Sequence, residues 1–369
     1  MESFNPARLD LARRRRGLTK GQLAARAQLT TRALNMYQRD EMVPSADTIE
    51  RLAAALEFPV AFLMRAETHE PSASAVSFRA RSTMTMRQQH QAISAAAIAI
   101  ELVEWIEARF DLPPPTIPRL RDIDPEIAAE QVRAEWGLGE RRIGNMVHLL
   151  EQHGVRVFSL AEENEDIDAF SFWRDGVPYV FLNSMKSAER SRMDAAHELG
   201  HLVMHFWDDG PSGRLAESEA RTFGGAFLMS RRSVLADAPR GPSVAQILHA
   251  KKRWNVAAMA LAYRMRTVGL LTEWQARMVF TEMTRRGYRA AEPEGIEREA
   301  SQVLAKVVDA LRNEGVTQAD IAHELAIPQH ELQKLVFGLV LSAAPQRSRG
   351  DNPPSPPRHG PARLTVVRD

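Results

Sequence analysis

Asp194-Ala-Ala-His-Glu-Leu-Gly-His-Leu-Val-Met-His205 decides how the chain is read. Inside it lies His197-Glu198-Leu-Gly-His201, an H-E-x-x-H pattern. Four residues of α-helix turn through about 400° and climb about 6 Å, so His197 and His201 project from one face. Two imidazoles at that spacing can grip one Zn²⁺, leaving room for a third ligand and a water. Glu198 sits about 100° round the helix. It is poorly placed as a ligand and well placed to take a proton from the attacking water, so Glu198 is the catalytic candidate. Met193, Ala196, Leu199, Leu202 and Val203 give the flanks an apolar helical stripe. Gly200 leaves space for a strand or a substrate backbone to approach.

A third ligand is expected on a second helical segment, Glu217-Ser-Glu219-Ala-Arg-Thr-Phe223-Gly-Gly-Ala-Phe227-Leu-Met229. Two helices packed face to face would bring a glutamate against the histidine pair. Asp194, one turn before His197, either orients an imidazole N–H or caps the helix. His205, about 6 Å beyond His201 by helix rise, is too far to share an ion. It reads as a supporting or hydrogen-bonded core histidine.

The run from Arg190 through His205, followed by E-x-E-A-x-x-F-x-x-A-F-L-M, resembles the ImmA/IrrE family of small metallopeptidases. The resemblance implies that the first glutamate of the second motif, Glu217, completes the metal set with His197 and His201. Glu219, two residues on, is the competing choice. Arg221 stands where the family usually has Asn or Asp, and Ser230 where Pro commonly ends the motif. Ligand type favours Zn²⁺, with Mn²⁺ as the alternative.

At 369 residues the chain has room for two or three domains. The absence of cysteine removes disulfides and thiolate metal sites, and fits a cytoplasmic protein. Neither a signal-peptide core nor a membrane-length apolar run is visible, so no membrane partner is expected. The net charge of +1 means that any nucleic-acid affinity must come from a local patch.

Residues 1–66 break into short helices. The first runs from Ala7 to Arg16, and Thr19 caps a second over Lys20 to Ala27. Thr30 caps a third from Thr31 to about Arg39, and Pro44-Ser-Ala-Asp opens a fourth. The pattern L-T-x-x-Q-L-A-x-x-A-x-L-T-x-x-x-L-x-x-Y over residues 18–37 resembles the XRE (Cro/C1-type) helix-turn-helix family. Gln28 occupies the position of the usual turn glycine. The third helix is then the one for the major groove of a double-stranded DNA operator. Thr31, Arg32, Asn35 and Met36 would face bases, Arg32 suiting guanine and Asn35 adenine. Lys20, Gln22 and Arg39 suit phosphate contacts. The run Arg13 to Arg16 reads as a solvated basic face or as further phosphate contacts.

Residues 67–120 read as a linker followed by a long helix from Gln88 to Phe110, stopped by Pro113-Pro114-Pro115. That helix would either separate domains or pair with its twin in a homodimer. The peptidase-like domain is expected at 121–236, with three short strands before the metal helix: Val155–Leu160, Ala169–Trp173 and Tyr179–Leu182. The segment 169–172 is the expected edge for adding a substrate peptide. A helical domain follows at 243–341, in which Gly315 to Pro328 repeats a helix-turn-helix pattern. The Pro- and Arg-rich tail 342–369 is expected to be disordered.

The fold class expected is therefore mainly α with a small β-sheet. The function implied by the two resemblances is a DNA-binding regulator that cleaves a repressor protein, controlling stress, prophage or mobile-element genes. Two alternatives stay open: a metal or small-ligand sensor that cuts nothing, and an antitoxin-like DNA-binding protein.

Overall fold

The computed structural model describes residues 3–68, 70–71, 77–78, 85–160, 169–206, 213–289, 291–337 and 365–366. Among the described residues the protein is mainly α, with one small four-stranded sheet and a separate two-stranded pair. Five helices make the N-terminal bundle: α1 (Pro6–Arg15), α2 (Lys20–Arg26), α3 (Thr31–Gln38), α4 (Ala46–Leu56) and α5 (Val60–Met64). Local chemistry sets their bounds. Asn5 caps α1 ahead of Pro6, Thr19 and Gln22 form a reciprocal capping box on α2, and Thr30 caps α3. Gln28 makes the turn between α2 and α3 at φ 55°, a left-handed conformation that glycine adopts more cheaply.

The linker contains β1 (Ser77–Phe78), and α6 (Met86–Glu107) follows, then β2 (Phe110–Asp111). Helices α7 (Pro125–Glu135) and α8 (Met146–Gln152) lead into β3 (Arg156–Leu160), β4 (Phe170–Arg174) and β5 (Val177–Asn183). β4 and β5 are joined by Asp175-Gly176, both at positive φ, as a two-residue hairpin turn requires. The sheet order is β1-β4-β5-β3, with β3 parallel to β5 and the other pairs antiparallel. Next come α9 (Ala188–Met204), α10 (Gly213–Leu228), α11 (Arg231–Asp237), α12 (Val244–Ala250), α13 (Ala258–Thr267) and α14 (Glu273–Arg285). The last helices are α15 (Gln302–Asn313), α16 (Gln318–Glu324) and α17 (Gln329–Leu332). A final strand, β6 (Thr365–Val366), pairs with β2. The rest of the tail expected to be disordered lies outside the described residues.

The sheet is a wall between two cores. Phe158, Phe170, Phe172, Tyr179 and Phe181 pack on one side with the N-terminal bundle, α6 and α15–α17. Val157, Ala169, Val180 and Leu182 pack on the other with α7–α10 and α12–α14. The region 243–341, expected as one helical unit, thus divides between the two cores.

Helix α6 differs from both expectations for it. Its residues Ala92 to Val103 are buried all round, inside the chain's own core. It neither spaces two bodies nor offers a face to a twin helix. The run Arg13 to Arg16 also corrects its reading, because all four side chains make internal contacts. Arg13 and Arg14 pair with Asp10, Arg14 also with Glu70, and Arg15 and Arg16 both with Glu331 of α17. Arg8 reaches Glu101 of α6 at 2.6 Å. The second helix-turn-helix-like segment, α16–α17, therefore holds the first bundle in place. No helix among the described residues is long and apolar enough to cross a membrane.

Candidate metal centre and DNA-reading helix

Helix α9 is capped by Ser187, so Asp194 lies well inside it and does not cap. Asp194 is buried and pairs with Lys186 at 3.2 Å. On the face that α9 turns to α10, Gly200 and Gly224 remove the obstacles to close packing. A Cβ on Gly200 would stand 3.1 Å from the Ala220 Cα, and one on Gly224 would stand 3.0 Å from the His197 backbone nitrogen. The space at Gly200 is thus filled by a helix, not by a strand or a substrate. Glu217 lies on the same face of α10 as Ala220 and Gly224, at i+3 and i+7, so the close approach carries it to the histidines.

The three candidate ligand residues converge. His197 Nε2 and His201 Nε2 are 3.1 Å apart. Glu217 places one carboxylate oxygen 3.3 Å from His197 Nε2 and the other 3.4 Å from His201 Nε2. A tetrahedral ion with bonds of about 2.05 Å has ligand–ligand edges of about 3.3 Å. The histidine–histidine distance and the distance from each histidine to its nearer Glu217 oxygen match those edges, so the donor set fits a metal of zinc's size, with one carboxylate oxygen turned to each imidazole. These three residues form the His/Glu cluster of metal-binding type found among the described residues. Burial pushes the Glu217 carboxyl up, but hydrogen bonds with His197 and His201 outweigh it and hold it well below the usual carboxylate range.

Glu219 faces elsewhere. Its carboxylate lies 2.9 Å from His205 Nε2, and His205 Nδ1 is 3.0 Å from His201 Nδ1. With Nε2 of His201 turned toward the ion position, its Nδ1 carries the proton and donates to His205. His205 then carries its own proton on Nε2 and donates to Glu219. Burial lowers the His205 pKa and favours this neutral ring, although its bond to Glu219 pulls the other way. Glu219 and His205 together hold the His201 ring in one orientation.

Glu198 is fully buried and accepts a hydrogen bond of 2.7 Å from the Ser171 hydroxyl. Ser171 sits on β4 facing α9, as does Trp173, whose indole donates to the Leu202 carbonyl. Sequence reading did not find Ser171. Strand alternation puts it opposite Phe170 and Phe172, but nothing local announces what it meets. The expected peptide edge at 169–172 also differs from expectation: Phe170 and Ser171 are already paired, with Phe78 and Ser77.

In the N-terminal bundle, Leu34 and Tyr37 of α3 are buried, as their spacing requires. Thr31, Arg32 and Arg39 are exposed, as are Lys20 and Gln22 of α2, while Asn35 and Met36 are half-buried. Lys20 Nζ donates to Asn35 Oδ1 at 3.2 Å, joining a phosphate candidate to a base-reading candidate.

Fold and site together define a DNA-binding bundle joined to a metallopeptidase-like domain. Residues 9–63 match the helix-turn-helix family model, and residues 150–266 match that of the IrrE N-terminal-like domain. No curated protein matches the chain. The chain is an XRE-type helix-turn-helix protein fused to an IrrE/ImmA-like domain.

Proposed function

We propose that this DNA-binding regulator carries a zinc-dependent endopeptidase, and that it controls stress, prophage or mobile-element genes by cleaving a repressor protein. The observation that carries the reading is the triangle of His197, His201 and Glu217, with Glu198 buried beside it. A bound Zn²⁺ would supply Lewis-acid polarisation of the scissile carbonyl and a lowered pKa for the attacking water, about 7. His197, His201 and Glu217 would hold the ion, with Mn²⁺ as the alternative occupant. Glu198 takes the proton from the water and passes it to the leaving amine. The Ser171 hydroxyl orients the Glu198 carboxylate. The His205–Glu219 pair fixes the His201 ring.

On the DNA side, Arg32, Thr31, Asn35 and Met36 read bases, and Lys20, Gln22 and Arg39 hold phosphates. A single reading helix covers one half-site, so a homodimer on a roughly palindromic operator fits best. With α6 buried, the dimer contact falls to the C-terminal helices, where Trp274 and Met278 lie exposed one turn apart on α14. A second reading, in which the domain senses a metal or small ligand and passes the change to the bundle without cutting, is favoured by a packed route: Arg15 and Arg16 pair with Glu331 of α17, and the turn that follows α17 packs on β3.

Glu198→Gln separates the two. It should retain metal and lose about 10²- to 10⁴-fold of proteolysis, the usual worth of a positioned general base. The assay is cleavage in vitro of a panel of candidate repressor proteins, alongside operator-dependent transcription in cells. Unchanged transcriptional switching in the variant would make the sensor the correct reading.

A further inference from the structure

The linker that joins the DNA-binding bundle to α6 contributes β1, whose backbone runs antiparallel to β4. Ser77 stands across from Ser171 and Phe78 across from Phe170. Ser171 is also the residue whose hydroxyl touches the Glu198 carboxylate. The linker backbone is therefore one strand spacing, about 4.8 Å, from the strand that supports the general base. An edge strand binds an extended peptide through its unpaired main-chain donors and acceptors. At Phe170 and Ser171 the chain itself takes that place.

We propose that the linker around Ser77–Phe78 is a built-in pseudosubstrate: it lies where a peptide substrate would add to β4, and a protein substrate enters by displacing it. This deepens the peptidase reading and rests on it for the meaning of the edge. The linker is anchored at both ends, so its effective concentration at β4 is on the order of millimolar, enough to exclude weak peptides. Only two residues pair, so a longer strand with more main-chain contacts can outcompete it. The segment that covers the edge is also the tether of the DNA-binding bundle. Substrate entry and the bundle's attachment thus involve one stretch of chain.

The test uses the full chain and a fluorescein-labelled ten-residue peptide with the sequence of residues 73–82. The double variant Ser77→Pro, Phe78→Pro removes both main-chain donors of β1. Ser77→Ala, Phe78→Ala keeps them and serves as the control. By anisotropy, the proline variant should bind the peptide at least about tenfold more tightly than wild type or the alanine control. Amide exchange over 169–174 should also be faster in the proline variant. Equal binding by all three proteins, or no binding by the proline variant, overturns the proposal. Strand addition needs no ion, so each titration is run with and without Zn²⁺. Competition that persists in a protein shown to bind no metal would retain the covered edge and sink the peptidase reading. Normal metal binding with equal peptide affinities would do the reverse.

Discussion

Gly224 lies so close to the backbone of His197 that a methyl group there would sit 3.0 Å from the His197 nitrogen. The candidate metal ligands are therefore brought together by a position that carries no side chain. Gly224→Ala should force α10 away from α9, cost about 1–3 kcal/mol of stability as overpacking does, and weaken Zn²⁺ binding by withdrawing Glu217. Chelator competition and thermal melting measure both effects. Wild-type metal affinity in the variant would mean that Glu217 does not depend on the helix contact.

Glu217 and Glu219 should separate cleanly. His197→Ala, His201→Ala and Glu217→Ala should each abolish stoichiometric metal binding. Glu219→Ala and His205→Ala should retain the ion with affinity reduced about 10- to 100-fold, as loss of an outer partner usually does. Metal analysis after dialysis, followed by a competition titration, ranks the five variants. Full metal loss in Glu219→Ala, with retention in Glu217→Ala, would reverse the assignment.

Glu331→Ala removes the carboxylate shared by Arg15 and Arg16 while Arg15 remains buried. Stripping one partner from a buried ion pair typically costs about 3–5 kcal/mol. The loss should appear in denaturant melts of the full chain. It should also speed amide exchange in α1, which the pair ties to α17.

Glu151, at the end of α8, accepts from the backbone nitrogens of Gln302 and Val303 at the start of α15, and from the Ser301 hydroxyl. Burial pushes its carboxyl up to about 7 against these hydrogen bonds. A folded-state pKa above the unfolded one means the contribution to stability is complete below about pH 4.3 and is lost as pH rises to about 7. The loss is on the order of 3 kcal/mol across that window, at up to about 1.4 kcal/mol per pH unit. Glu151→Gln should flatten this part of the stability–pH curve. An unchanged slope in urea melts from pH 4.5 to 7 would exclude Glu151 as its source.

Arg32→Ala should remove about 1–3 kcal/mol of discrimination at one base position. A pure phosphate contact would weaken all sequences alike, but Lys20 also holds Asn35. Lys20→Ala should therefore lower overall affinity and relax preference at the base that Asn35 reads. A binding-site selection with each variant reads both effects.

The local elements were legible because their signals are local. Capping residues, the Asp175-Gly176 turn and the i, i+4 histidines each act within a few positions, and the three expected strands fall within a few residues of where those signals put them, whereas the two-residue strands β1, β2 and β6 were not foreseen. What escaped depends on distant partners. Arg15 meets a carboxylate 316 positions away, so its basic run looks in sequence like any solvated face. Gly200 advertises a close approach without saying what approaches. Ser171 is one polar residue in an aromatic strand until Glu198 is placed beneath it. The long helix α6 reads as a spacer or a pairing helix, yet Ala92 to Val103 are buried because the N-terminal bundle, the sheet and α15–α17 converge on it.

The continuity of this core has a consequence for how the chain comes apart. Joining two ready-made modules leaves a seam, where each half keeps its own interior and can be cut free. Here Leu9 and Leu52 of the bundle belong to one continuous core with Ile98 of α6 and, through it, with Phe158, Phe170 and Phe181, so removing the first module would bare a face of α6. The matched segments 9–63 and 150–266 therefore do not mark two separately packed bodies, because one interior runs across the stretch between them.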